Sequence, residues 1–491
     1  MRQVRGALAR MWMGSRLGLA LIAWLAAASP AAAQRDLTPE AVALLEQSIA
    51  AHGGGPARLR AAFRGQSIQP DQGGHPDGPA RPHPVMIDIA IDEAAGSLAY
   101  RYNAGIDGGF TFPRQMGFAA GRGFASGFTG EYDRISTIPT EANAFLPHRL
   151  LRSILNEAAS AWVTRDGALD RISYRMASGA AATLVLDRAT HLLQAVLRSP
   201  TPGVFGEQTR DTLYGPYRRV GSVLVPETVV VRLDYPAIGP GGFSLALVAA
   251  SAEGPTPAEL APPPGAAERR PPSGAFETVQ LGRDVYLLRN AGVAGPFSYN
   301  VLLVVFEDHV LAVEAALDDA TARRVIETAA QLAPGKPIRT LVQTHHHGDH
   351  IGGIRTYIAQ GTTIVAPMGM RGFVERIASH SRTAPPRIEE VETERTIRDR
   401  RNEVRLYSFP SAHAAPMLIV HLPEQRVMYQ GDLISAGELP LNPTSTAFLA
   451  WLRARRLPVE HLAGLHGRTV SGAELRRLVA DERLDASPAA P

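Results

Sequence analysis

The stretch Thr344-His345-His346-His347-Gly348-Asp349-His350-Ile351-Gly352-Gly353 packs four histidines and an aspartate into a short run. It continues Ile338 to Thr344, which reads as a buried-type strand. Strand ends are where layered α/β domains place ligands. In an extended loop, residues two apart face the same side, so His345 and His347 can converge on one ion while His346 points elsewhere. Asp349 and His350 fall where the loop turns into a helix, and that change of direction can aim them at a second ion close by. The chain contains no cysteine. Disulfide scaffolds, thiolate zinc sites and cysteine nucleophiles are thereby excluded, and any metal must be held by His and carboxylates.

Downstream, three more candidate ligands each follow a strand-like segment. Ser411-Ala412-His413 follows Val404 to Phe409, Gln430-Gly431-Asp432-Leu433 follows Arg426 to Tyr429, and Leu465-His466-Gly467 follows Val459 to Ala463. With these in place, the pattern HxHxDH resembles that of the metallo-β-lactamase superfamily hydrolases. The resemblance covers nearly all of the second half, including the strands Asn300 to Val305 and Val310 to Glu314, and none of the first. It implies an αββα sandwich with its ligands on loops at one edge of the two sheets. It further implies that His345, His347 and His413 hold a first metal, that Asp349, His350 and His466 hold a second, and that Asp432 bridges them.

Zinc suits such a ligand set, and N/O sites of this kind also take iron or manganese. Two ions about 3.5 to 4 Å apart lower the pKa of a shared water towards about 7, giving hydroxide at neutral pH without a protein nucleophile. The resemblance also implies a catalytic part for Asp349, which would help to orient that nucleophile. At the bridging position Asp432 stands where the zinc β-lactamases carry Cys, so the chain looks more like the thioesterase, lactonase and phosphodiesterase branches. Around His413 the family's Gly-His-Ser/Thr arrangement is replaced by Ala412-His413-Ala414, which lacks the supporting hydroxyl. Tyr299, Met417, Asn442 and Phe448 are further candidates to line a pocket.

Around this centre, residues 275–483 alternate strand and helix patterns, which argues for a layered α/β domain. Helices are expected near Asp319 to Leu332, Met368 to Ser379, Thr446 to Arg455 and Ser471 to Asp481. The stretch Glu253 to Ser273, EGPTPAELAPPPGAAERRPPS, reads as an extended, Pro-rich linker over residues 253–274. Ahead of it lies a β-rich accessory domain, residues 35–252. It opens with a helix whose ends are written out by Thr38, Pro39 and Gly53. Strand patterns dominate afterwards, at Val85 to Ile91, Ser97 to Tyr102, Ile172 to Met176, Thr183 to Leu186, Leu192 to Arg198, Val223 to Leu233 and Phe243 to Ala249. A second helix is expected around Ala142 to Ala159, and an exposed loop at Pro70 to Pro84.

The fold class of the whole chain is therefore α+β: an antiparallel-sheet domain with packed helices, then the sandwich. The first half also faintly resembles the half-barrel of outer-membrane lipoprotein carriers, through its order of helix, long meander and Tyr214 to Pro226. That resemblance implies a hydrophobic ligand. His52, His75, His83, His148 and His191 show no ligand spacing and read as surface or hydrogen-bonded residues.

At 491 residues with 45% hydrophobic side chains, the chain is long and apolar enough for several folded units. Arg2, Arg5, Arg10 and Arg16 precede an apolar run, Leu17 to Ala28, that ends in Ser29-Pro30-Ala31-Ala32-Ala33. This is the pattern of a cleaved secretory signal, residues 1–33, and implies a periplasmic or secreted protein with no stable membrane span. Its removal takes away four of 50 basic side chains and none of 47 acidic ones, leaving the mature chain near neutral. Nucleic-acid partners lose their electrostatic argument. The expected function is an exported hydrolase of a small-molecule ester, lactone, amide or related bond. The competing expectation is a carrier of lipophilic molecules with a non-catalytic second half.

Overall fold

The computed structural model describes residues 35–109, 111, 113–119, 122–126, 142–261, 276–290, 299–434 and 441–480. The expected signal segment and the C-terminal tail 484–491 lie outside the described residues, as does most of the linker. Among the described residues, no helix is long and apolar enough to cross a membrane.

In the second half, two sheets lie face to face. The seven-stranded sheet runs in the order Phe276–Gly282, Val285–Asn290, Val301–Val305, Val310–Val313, Ile338–Val342, Thr363–Pro367, Arg387–Val391. The six-stranded sheet runs Glu394–Arg398, Glu403–Phe409, Met417–Leu422, Val427–Tyr429, His461–Ala463, Val470–Ser471. Period-two geometry divides the side chains of each strand between two cores. From Val301–Val305, Leu302 and Val304 meet Leu406, Leu418, Val420 and Tyr429 of the other sheet. Val301, Leu303 and Val305 instead face the helices Asp319–Leu332, Ile354–Ala359 and Arg371–His380. Burial on both faces explains why this strand is an unbroken apolar run. On the far side, Tyr407, Phe409, Ile419 and Met428 pack under the helices Pro443–Arg455 and Gly472–Val479. The layers are thus helix, sheet, sheet, helix.

The first half is built on one long sheet that, among the described residues, is antiparallel except where Asp36–Leu37 pairs with Ala158–Asp166 at its start. Leu44 and Leu45 of the helix Pro39–Ala51, and Leu151 and Ile154 of the helix Pro147–Glu157, share one core with Leu59, Phe63, Ile87, Leu184 and Val229 of the strands. The expected strand Val223 to Leu233 is two strands, Val223–Pro226 and Thr228–Tyr235. Only the second joins the long sheet; the first pairs with Tyr217–Val220. Part of the expected linker is also structured. Thr256 and Glu259 form a capping box that starts the helical turn Pro257–Leu260, and Leu260 packs on Ala90 and Ala99.

Glu93 ties this half together. Its carboxylate accepts from Ala57 N, from Arg149 at 2.7 Å and from Arg152 at 3.3 Å, with His148 Nε2 at 3.7 Å. Burial alone would push its pKa up. The adjacent His148 ring, the hydrogen bond from Ala57 and the Arg149 charge outweigh that and hold it down to about 2. Because the folded pKa is depressed, the stabilisation is present above the unfolded value of about 4.5 and is lost as pH falls towards 2. Glu93→Gln should cost on the order of 2–3 kcal/mol at pH 7. The difference from wild type in urea denaturation should begin to shrink below about pH 4.5 and close as pH falls through about 2.

The two halves are docked on each other. Phe205 packs against Phe373 at 6.2 Å between ring centres, Arg376 bonds Ala237 O at 3.2 Å and Asp77 at 2.6 Å, and Arg355 bonds Gly203 O at 2.8 Å.

Candidate metal centre

The candidate ligands follow the strands Ile338–Val342, Glu403–Phe409, Val427–Tyr429 and His461–Ala463 at one edge of the sandwich, all in loops except Asp349 and His350, which lie in the short helix Gly348–Ile351. His347 caps the short helix Gly348–Ile351 from an extended conformation, which turns the chain between the two candidate sites. Gly352 permits that turn to pack. A Cβ there would fall 1.9 Å from Leu317 O.

The residues expected from the sequence come together. One group is His345, His347, His413 and Asp432; the other is Asp349, His350, Asp432 and His466; in each, ligand atoms lie within 4.8 Å of one another. Asp432 belongs to both. Its Oδ2 lies 3.0 Å from His350 Nε2, 3.5 Å from His413 Nε2 and 3.7 Å from His466 Nε2. His466 Nε2 also meets Asp349 Oδ2 at 2.9 Å.

The donor set fits a metal pair. His345 Nε2, His347 Nδ1 and Asp432 Oδ1 are buried and have no hydrogen-bond partner among the described residues, an expensive condition unless a cation takes them up. Burial, with the neighbouring imidazoles, holds the His345 and His347 pKa values well below the usual range, so both rings are neutral as ligation requires. His350 differs. Burial opposes its charge, but Asp432, Glu314 and Asp349 outweigh this and push its pKa well above the ordinary value. Burial likewise opposes ionisation of Asp432, and the charges of His350 and His466 override it.

His346 does point away. It is buried against Phe373, and burial lowers its pKa to about 3. Of the pocket candidates, Tyr299 packs its ring edge on His466 at 5.4 Å. Asn442 instead caps the helix Pro443–Arg455, and Phe448 is core.

Glu314 escaped the sequence reading. It is fully buried with φ of 81°, an uncommon backbone state for a residue with a side chain. Its carboxylate takes hydrogen bonds from Thr344 Oγ1, from Gln343 Nε2 at 2.9 Å and from His350 Nδ1 at 3.0 Å. An acid closing the all-apolar strand Val310–Val313 was the available signal. Glu314→Gln keeps the shape but sets an amide against several donors. It should weaken metal binding by about 10- to 100-fold, measured by competitive zinc titration.

The first half also reaches the centre, through the segment expected to be an exposed loop. Pro70–Gln72 is a helical turn, and Gln72 Nε2 donates to Asp349 Oδ1 at 3.0 Å. Gly73 O accepts from His347 Nε2 at 3.0 Å, and Gly74 O from Ala415 N at 2.7 Å. Asp107 O lies 3.2 Å from His413 Nδ1, while its carboxylate meets His83 Nε2 at 3.1 Å. Asp71 lies beside Gly348; burial, with the Asp349 charge, raises its pKa to about 6.

Residues 294–478 match the family model described as the metallo-beta-lactamase superfamily. No curated protein matches the chain. Among solved structures, the mono-zinc form of the metallo-beta-lactamase FIM-1 from Pseudomonas aeruginosa is similar at 24% identity over 44% of this chain and 98% of its own, with a TM-score of 0.34. A metallo-beta-lactamase from Pontibacter korlensis is similar at 17% identity over 42% of this chain and 97% of its own, with a TM-score of 0.32. One from Hirschia baltica is similar at 18% identity over 42% and 96%, with a TM-score of 0.31. Residues 294–478, with their layered fold and their buried His and Asp groups able to hold metal, are a metallo-β-lactamase superfamily domain.

Proposed function

We propose that the chain is an exported, metal-dependent hydrolase with a dinuclear centre, zinc being the metal that its imidazole and carboxylate donors suit best. His345, His347 and His413 would hold one ion, Asp349, His350 and His466 the other, and Asp432 both. Such a pair supplies positive charge to polarise a scissile carbonyl or phosphoryl group and makes water acidic enough to attack near neutral pH. The chain's own part is positional. Glu314 fixes the His350 ring through Nδ1, so that Nε2 faces Asp432. Asp349 is held at Oδ1 by Gln72 while Oδ2 faces His466, which suits it to orient a nucleophile rather than to swing.

The observation that carries this reading is Asp432 Oδ2, which sits within 3.0 to 3.7 Å of three imidazoles drawn from both ligand groups. Export rests on the pattern of residues 1–33, and the near-neutral mature chain favours a small-molecule substrate. Purified protein should be assayed with chromogenic ester, lactone, cephalosporin and bis-phosphodiester substrates before and after chelation. Zinc-restored turnover of one class supports the proposal. No turnover of any class together with no metal uptake overturns it and favours the carrier reading.

A further inference from the structure

We propose that the β-rich first half is a working part of the metal centre: its two loops, Gln69 to Gly78 and Gly105 to Gly109, set the orientation of three candidate ligands in the second half. This rests on the dinuclear reading and goes beyond it, because a superfamily domain alone would have to orient those ligands from within.

Each contact goes to a different ligand and to the part of it that a metal would not use. His347 donates through Nε2 to Gly73 O, which fixes the tautomer and leaves Nδ1 as the atom without a hydrogen-bond partner. His413 faces Asp107 O with Nδ1, while Nε2 points to Asp432. Gln72 binds Asp349 Oδ1, and the other oxygen, Oδ2, faces His466. A second hydrogen bond of this sort is how ligating imidazoles and carboxylates are normally oriented and made more basic. Here the partners lie 274, 306 and 277 positions away in the chain. The arrangement also accounts for the missing hydroxyl beside His413, since Ala414 can offer His413 no side-chain hydrogen bond and the first half offers a carbonyl.

The fit of the second loop is tight. Gly108 has φ of +85°, and a Cβ on it would lie 2.7 Å from His413 Cα and 2.8 Å from His413 Cβ. Nothing larger than glycine can sit there unless His413 or the loop moves. Gly108 O also accepts from Thr444 Oγ1 at 3.2 Å, and Asp107 is braced by His83, so the loop is anchored on both sides of its contact.

The test is a cobalt titration of the full chain, followed by its visible spectrum, for wild type, Gly108→Ala, Gln72→Ala and the control Gly55→Ala. Gly55 has ordinary φ and open surroundings, its nearest atom 3.7 Å from an added Cβ. Gly108→Ala should weaken the ion held by His413 by about 10- to 100-fold and change the spectrum of that ion alone. Gln72→Ala should instead weaken the ion held by Asp349 by about tenfold. General destabilisation would not sort the two ions in this way. Gly55→Ala should match wild type.

Circular dichroism establishes that each variant folds. If Gly108→Ala does not fold, Gln72→Ala carries the test, because its side chain is partly exposed and its truncation leaves the backbone alone. Wild-type affinities for both ions in the folded variants overturn the inference and leave the dinuclear reading standing. A wild-type chain that takes up no cobalt overturns both.

Discussion

Replacing His347 by alanine should leave a folded chain that has lost its first metal and more than about 100-fold of its hydrolytic rate. The size follows from rank. Losing an outer partner of a ligand costs about 10- to 100-fold, and His347 is argued to be the ligand itself. Folding should survive because the ring contributes little to the metal-free state. Its one hydrogen bond, to Gly73 O, is worth on the order of 1 kcal/mol, and burial of an imidazole that lacks a partner at Nδ1 offsets part of that. The thermal midpoint without metal should therefore stay close to wild type. The rise on adding zinc should shrink, because only an ion bound to the native state stabilises it. A variant that keeps both the full rise and the activity would remove His347 from the site.

Asp432→Asn should have the second large effect, and a different signature. Where His347→Ala removes one ion, loss of the Asp432 charge should weaken both, since its Oδ2 faces His350, His413 and His466 together. His466→Ala provides the comparison. It should lose the second ion while the first remains on His345, His347 and His413. Zinc titration with a chromophoric chelator as competitor distinguishes these outcomes. An Asp432→Asn chain that still binds both ions with wild-type affinity would show that the carboxylate does not bridge.

The sandwich and its candidate ligand residues were readable in the sequence because each candidate follows a segment with a strand pattern. Val427–Tyr429 is buried throughout and Ile338–Val342 ends in buried Leu341 and Val342, and a cluster of polar residues just beyond such a stretch is conspicuous. Strands with one wet face were harder. Glu394–Arg398 and Arg387–Val391 carry charge at most positions and bury only part of their length, so they lack an apolar signature. Arg58–Ile68, in the middle of the long sheet, alternates well, yet its arginines, glycine and glutamine hid a strand that pairs along its whole length. The break at Pro226 was missed because branched residues continue on either side of it; the proline nonetheless ends one pairing before the next begins.

What could not be read locally is the reach of the first half into the candidate metal centre. Gln72, Gly73, Asp107 and Gly108 lie in Gly-rich turns that look like surface connections. Two of their contacts use backbone carbonyls, which every residue possesses. Only the docking of the halves through Phe205, Arg355 and Arg376 gives those turns a partner. Glu314 is intermediate: its position after a buried strand was visible, but its hold on His350 depends on a backbone conformation that sequence does not announce.

Counting the zinc bound per chain is the most direct test of the central claim. Purified protein, stripped with chelator and reloaded, should retain about two equivalents after exhaustive dialysis, and the His347→Ala chain about one. A wild-type chain that returns from dialysis with none would contradict the account, however well its fold is formed.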